Sequence, residues 1–186
     1  MAKETAHQIG TPLSSLLGWV ALLRMENVEE DTVKEIEKDV SRLNTIAERF
    51  SKIGSIPKLT KHDIVAETDT AFDYIRSRSF KQIEFTFNTE NDKPIYVDLN
   101  LQLYSWVIEN LVKNAIDAMQ GKGKIDIHVV QENSNAVITI SDTGKGIPKR
   151  LQKKIFEPGY TTKKRGWGLG LSLTKRIIND YHKGRI

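Results

Sequence analysis

The hydrophobic period of this chain changes once, at Gly54-Ser55-Ile56-Pro57, and that break constrains the fold more than any other feature. Ahead of it, over residues 3–25, Ile9, Leu13, Leu16, Leu17, Val20 and Leu23 recur at three- and four-residue steps, which places them on one helical face. A second run of the same kind starts near Asp31 or Thr32 and carries Val33, Ile36, Val40, Leu43, Ile46, Ala47 and Phe50. The polar turn at residues 26–30 separates the two, so they read as an antiparallel helical hairpin. One hairpin encloses too little core to stand alone. Pairing two of them into a four-helix bundle is the economical solution, and a homodimer is therefore expected.

Glycine and proline mark residues 54–57 as a linker, and periods of two and 3.6 alternate beyond it. Thr60-Lys61-His62-Asp63 has the form of a capping box opening a helix that buries Ile64, Thr68, Ala71, Phe72 and Ile75. Strand patterns occupy residues 83–87, 95–98, 125–130 and 136–142, and helical patterns occupy 101–119 and about 171–181. The predicted class is α+β: the helical hairpin, then an α/β two-layer sandwich with helices on one face of a largely antiparallel sheet. The corresponding domains are residues 1–56 and 57–186.

Composition removes several function classes. No apolar run reaches the ~18 residues of a membrane span, and no secretory signal pattern is present, so no membrane contact is expected. Cysteine is absent, which excludes disulfides and thiolate metal sites and fits a reducing, cytoplasmic setting. The net charge of +4 is spread among acids. Its densest cluster, Lys163-Lys164-Arg165, lies beside glycines and suits a polyphosphate better than a nucleic-acid groove.

Four segments carry the chemistry. Asn110 and Asn114 sit four apart on the helix predicted at 101–119, and their carboxamide oxygens suit Mg²⁺, a hard cation that shares its shell with substrate phosphates. Asp142-Thr143-Gly144-Lys145-Gly146-Ile147-Pro148 puts an acid at a strand end before a glycine turn. A carboxylate there only accepts hydrogen bonds and can select the adenine amino group, while glycines let backbone approach the ring. Residues 156–163, Phe-Glu-Pro-Gly-Tyr-Thr-Thr-Lys, form a candidate lid. Gly166-Trp167-Gly168-Leu169-Gly170-Leu171 leads into a helix whose free N–H groups can bind phosphate.

In order and spacing these segments resemble the N, G1, F and G2 boxes of the ATP-binding domain shared by sensor histidine kinases, gyrase, Hsp90 and MutL. His7-Gln8-Ile9-Gly10-Thr11-Pro12-Leu13 is similar to the histidine kinase H-box, and the resemblance to sensor histidine kinases covers nearly the whole chain. It implies ATP and Mg²⁺ as cofactors, His7 as phosphoacceptor with Thr11 one turn on, and a response-regulator receiver aspartate as the next acceptor. Asn110 and Asn114 then match the metal asparagines, and Asp142 the adenine-binding acid. Asp117, Gly144, Gly146, Ile147, Tyr160, Thr161, Thr162, Lys163, Gly166, Gly168, Leu169, Gly170 and Leu171 complete the expected nucleotide site. The implied reaction is autophosphorylation. An ordinary imidazole, with a pKa of about 6.5, is largely neutral at cytosolic pH and so available as a nucleophile. Gyrase-like ATPases place a water-activating glutamate four residues before the metal asparagine, where this chain has Asn110. Glu109 points about 100° away on the helix, which favours transfer to histidine over hydrolysis.

The chain departs from the family in places. Gln8 replaces the usual acid after the histidine, so Glu4, one turn earlier, or a water held by Gln8 is the expected helper. Gly10 replaces a basic residue, and Asp117 stands where many relatives carry lysine, leaving Lys163, Lys164 or Arg165 as substitutes. Lys183-Gly184-Arg185-Ile186 looks like the opening of a strand that relatives continue, so a fragment of a larger kinase is expected. Two other readings compete with the kinase: a nucleotide-binding regulatory module without kinase activity, and a phosphatase toward a phosphorylated receiver.

Overall fold

The computed structural model describes residues 15–25, 29–34, 36–37, 40, 57–79, 81–90, 93–163 and 168–186. The chain divides into two compact units, Met1–Pro57 and Lys58–Ile186. The expected linker at residues 54–57, apart from Pro57, lies outside the described residues, as do Leu43, Ile46, Ala47 and Phe50.

In the first unit, residues 15–25 (α1) are helical, and a second helical stretch (α2) covers the described residues from 30 to 40. Val20, Val33 and Val40 are buried together with Leu23 packed against them, and Arg24 donates to Glu37 at 2.6 Å. The inward positions agree with the helical spacing. Leu16, Leu17, Trp19, Leu22, Met25 and Ile36 remain exposed, Trp19 at 61%.

The second unit runs β1 (Thr60–Asp63), α3 (Ile64–Arg76), β2 (Ile83–Thr89), β3 (Tyr96–Leu99), α4 (Leu101–Ala118), β4 (Gly123–Glu132) and β5 (Asn135–Asp142). Short 3-10 turns follow at Lys149–Leu151 and Lys154–Phe156, then α5 (Gly170–Arg176), which widens into a π turn at Ile177–Tyr181. One sheet pairs β1 with β3, and another has the order β2-β4-β5. β4 alternates cleanly: Ile125, Ile127 and Val129 are fully buried, facing a core shared with Phe72 and Ile75 of α3 and with Ile108 and Val112 of α4. Phe72 meets Phe85 edge to face, with ring centroids 5.4 Å apart.

One expectation needs correction. Thr60–Asp63 is a strand, with Thr60 opposite Leu99 and Asp63 opposite Tyr96. The helix cap is Asp63 alone: its Oδ1 accepts from Val65 N and from Ile95 N, each at 3.1 Å, so one carboxylate fastens the start of α3 to the approach to β3. The buried set of α3, Ile64, Thr68, Ala71, Phe72 and Ile75, is nevertheless the predicted one. The strands pair largely antiparallel, as expected: β1 with β3 and β4 with β5 are antiparallel, and β2 lies parallel to β4. The chain between β2 and β4 contains β3 and α4, which supply the long crossover that a parallel pair needs.

A polar link crosses the helical layer. Thr68 Oγ1 donates to Ile64 O at 2.5 Å, so its oxygen accepts from the Tyr104 hydroxyl of α4. Burial pushes the Tyr104 phenol well above its ordinary pKa, and it stays protonated. Among the described residues no helix is long and apolar enough to cross a membrane.

Candidate functional site

α4 is the spine of the site. Asn100 caps it, accepting from Leu103 N at 3.1 Å, and the helix carries Asn110, Asn114 and Asp117 one turn apart on a single face. The opposite face, with Tyr104, Ile108, Val112 and Ala115, is buried in the core, so α4 is held by apolar packing and turns its polar residues outward.

Each turn of that face meets a different glycine-rich or lid segment. Asn110 Nδ2 donates to Thr174 Oγ1 of α5 at 2.9 Å. Its Oδ1 lies so close to Gly170 that a Cβ there would collide with it. Asn114 Oδ1 accepts from the Lys163 ammonium at 2.7 Å, and Asp117 Oδ2 meets the same ammonium at 2.6 Å. Ala118, at the end of the helix, lies beside Gly144, where a Cβ would strike both Ala118 and Asp142 Oδ1. One helix face thus gathers three of the four segments singled out by composition, and α4 itself is the fourth.

Asp142 ends β5 and is exposed, and its Oδ1 accepts from Gly144 N at 2.7 Å, which tightens the turn that follows. Thr143 anchors that turn: its hydroxyl accepts from Lys124 N at 3.0 Å, and its N–H donates to Lys124 O. Gly146 has φ +67 with open space around it, and Ile147 is 49% exposed. In the candidate lid, Lys163 N donates to Thr161 Oγ1, Tyr160 lies under the Lys154 ammonium, and Thr162 is exposed. Gly159 N donates to Gly168 O at 3.1 Å, and Gly168, at φ +66, sits where a side chain would collide with residue 159. Leu169 precedes α5, supplies no side-chain cap and leaves Leu171 in the first turn. Glu4, His7, Gln8, Gly10, Thr11, Lys164, Arg165 and Gly166 lie outside the described residues.

Two participants were missed in the sequence. Thr174 is fully buried against Asn110, and its position one turn after Gly170 was the available signal. His182, near the end of the chain, is half-buried against the α4 cap: its Nε2 accepts from Asn100 N at 3.0 Å, and its Nδ1 donates to Ile177 O. Burial lowers its pKa below the ordinary value.

This arrangement offers polar groups to an anionic ligand accompanied by a cation. Acceptor oxygens for a cation lie on α4, glycines let the turn after β5 and the start of α5 pack closely against that helix, and an exposed carboxylate stands at the end of β5. Among the described residues no cluster of three or more acidic, histidine or cysteine side chains could hold a metal unaided.

Residues 101–186 match the family described as histidine kinase-, DNA gyrase B- and HSP90-like ATPase. The chain is 32% identical over 190 residues to the signal transduction histidine-protein kinase AtoS of Escherichia coli (strain K12), covering 97% of this chain and 31% of that protein. It therefore spans about a third of the length of this curated relative. The solved catalytic domain of histidine kinase ThkA superposes with a TM-score of 0.61 at 33% identity, over 69% of this chain and 86% of that one. A structure of ThkA in complex with the response regulator protein TrrA aligns over 98% of this chain and 55% of that one, with a TM-score of 0.66 and 26% identity. α4 and the glycine-rich segments gathered on it lie within the stretch that matches the ATPase domain, and the chain belongs to the sensor histidine kinase family.

Proposed function

We propose that Lys58–Ile186 binds Mg·ATP along α4 and that the chain transfers the γ-phosphoryl group to His7, from which it passes to a receiver aspartate of a response regulator. The observation that carries this reading is the single face of α4 on which Asn110 meets Gly170, Asn114 meets Lys163 and Ala118 meets Gly144. A helix face bordered by glycines, one cation and an adjacent acid is suited to a triphosphate with its adenine beside Asp142.

The roles follow from chemistry. Asp142 Oδ1 is engaged by Gly144 N, so its second oxygen is the acceptor for the adenine amino group. Asn110, held by Thr174 through its Nδ2, keeps Oδ1 as an acceptor toward the glycine segment, and Asn114 offers the second carboxamide oxygen. Mg²⁺ held by these oxygens would draw off charge from the β- and γ-phosphates. Lys163 is the nearby cation that balances phosphate charge, and the backbone N–H groups at Gly170 and Leu171 are donors for the anion. In the transfer step an imidazole nitrogen of His7 forms the N–P bond as the bond from the γ-phosphorus to the bridging oxygen breaks, and ADP leaves. Glu4 or a water held by Gln8 takes the proton from the imidazole, in the place of the usual acid.

Residues 1–56 act as the phosphotransfer hairpin in this reading and dimerise as a four-helix bundle. The exposed apolar row from Leu16 to Met25 supports it, because the inner contacts of Val20, Val33 and Val40 leave that row uncovered. The setting is cytoplasmic. Calorimetric titration with Mg·ATP tests the nucleotide site: binding that weakens at least tenfold in Asp142→Asn, with the fold retained, is expected. Equal affinity in the two chains would contradict the assigned adenine contact.

A further inference from the structure

Lys163 occupies a specific position. Its ammonium donates to Asn114 Oδ1 and to Asp117 Oδ2, at 2.7 and 2.6 Å, so a carboxamide and a carboxylate from adjacent turns of α4 converge on one cation. Asp117 is more than half exposed and stands on the face assigned to the phosphates. A carboxylate there repels a polyphosphate unless a cation lies between them.

We propose that Asp117 is a specificity-determining residue: the Asn114 and Asp117 oxygens form a cation seat that Lys163 fills in the free chain, and the carboxylate makes the site select metal-bound over metal-free nucleotide. The inference rests on the ATP-binding reading above. Metal-free ATP brings more negative charge than Mg·ATP and must approach a carboxylate whose partner among the described residues is Lys163. Lys163 cannot serve both fully. Mg·ATP brings its own cation, which can take the place of the ammonium beside Asn114 and Asp117 and release Lys163 to the phosphates. Two protein oxygens are as many as Mg²⁺ commonly needs in such sites, since phosphate and water complete the shell. A charged pair on the surface alone would carry no such meaning. Here one of its acceptors is also a predicted metal asparagine, so the ammonium marks a place that already suits a cation.

The test compares the affinity for ATP with Mg²⁺ and for ATP with EDTA, by calorimetry, in the wild-type chain, Asp117→Asn and Lys163→Met. Removing the carboxylate charge should tighten metal-free ATP binding about tenfold, while changing Mg·ATP affinity much less, so that selectivity falls. Lys163→Met should weaken both forms, the metal-free one more because it then meets a bare Asp117 carboxylate with no cation of its own, so selectivity rises. A purely structural role for the pair would shift both variants in the same direction, because either change breaks the same contact. Wild-type binding of Mg·ATP with selectivity unchanged in Asp117→Asn would overturn the inference and leave the ATP-binding reading standing. A wild-type chain that binds neither form would overturn that reading, and the inference with it.

Discussion

His182 accepts the backbone N–H of Asn100 on Nε2 at 3.0 Å and donates from Nδ1 to the Ile177 carbonyl at 3.0 Å. A carbonyl only accepts, so the ring is held as one neutral tautomer between the end of the π turn and the cap of α4. Protonation would set an N–H against the Asn100 N–H. The folded chain therefore disfavours the charged ring, in keeping with the lowered pKa that burial causes. The unfolded chain takes up its proton at a pKa of about 6.5, so the stability contributed by His182 is full above that pH and is lost as pH falls below it. Urea unfolding from pH 7.5 down to 5.5 should show this decline, and His182→Gln should reduce its slope.

Asn110 and Thr174 form the second relationship with a measurable consequence. Thr174→Val keeps the volume and leaves the Asn110 amide without its partner, which should cost about 1–2 kcal/mol of stability. Free of Thr174, the Asn110 side chain also loses its fixed orientation, and Mg·ATP affinity should drop several-fold. Thermal unfolding and calorimetry on one preparation would separate the two effects.

Steric room at the glycines predicts a different pattern. A Cβ at Gly170 collides with Asn110 Oδ1, and one at Gly144 with Asp142 Oδ1 and Ala118. Gly170→Ala and Gly144→Ala should each lower Mg·ATP affinity at least tenfold, an estimate that assigns about 1.4 kcal/mol or more to the displaced side chain. Gly146→Ala meets open space, and its cost should come from φ +67 alone, about 1 kcal/mol of stability with smaller loss of affinity.

The Thr68–Tyr104 pair should respond asymmetrically. Tyr104→Phe leaves Thr68 its donated bond to Ile64 O, whereas Thr68→Val leaves a buried phenol without an acceptor. Thr68→Val should therefore cost more, about 1–3 kcal/mol, and Tyr104→Phe less, as read from urea midpoints.

Much of this was legible in the sequence where one residue's neighbours along the chain decide its environment. The inward face of α3, from Ile64 to Ile75, and the alternation Ile125, Ile127, Val129 follow directly from period and burial. Thr60–Asp63 misled because a Thr-x-x-Asp tetrad satisfies the local rule for a cap, while its strand state depends on pairing with Tyr96–Leu99, far along the chain. The parallel setting of β2 on β4 is likewise a property of the crossover, not of either strand. In the site, Asn110, Asn114, Asp142 and the glycines were visible by type and spacing. The clasp of Lys163 on Asp117 and the bond of His182 to Asn100 were not, since each joins residues that only the folded sheet and helices bring together.

The most direct test of the central claim is incubation with γ-³²P-ATP and Mg²⁺, comparing the wild-type chain with His7→Ala and Asn114→Ala, followed by acid and alkali treatment of the labelled protein. The account predicts label that is lost in acid, survives alkali and is absent from both variants. Label that persists in His7→Ala, or a wild-type chain that binds Mg·ATP and takes up no label, would contradict it.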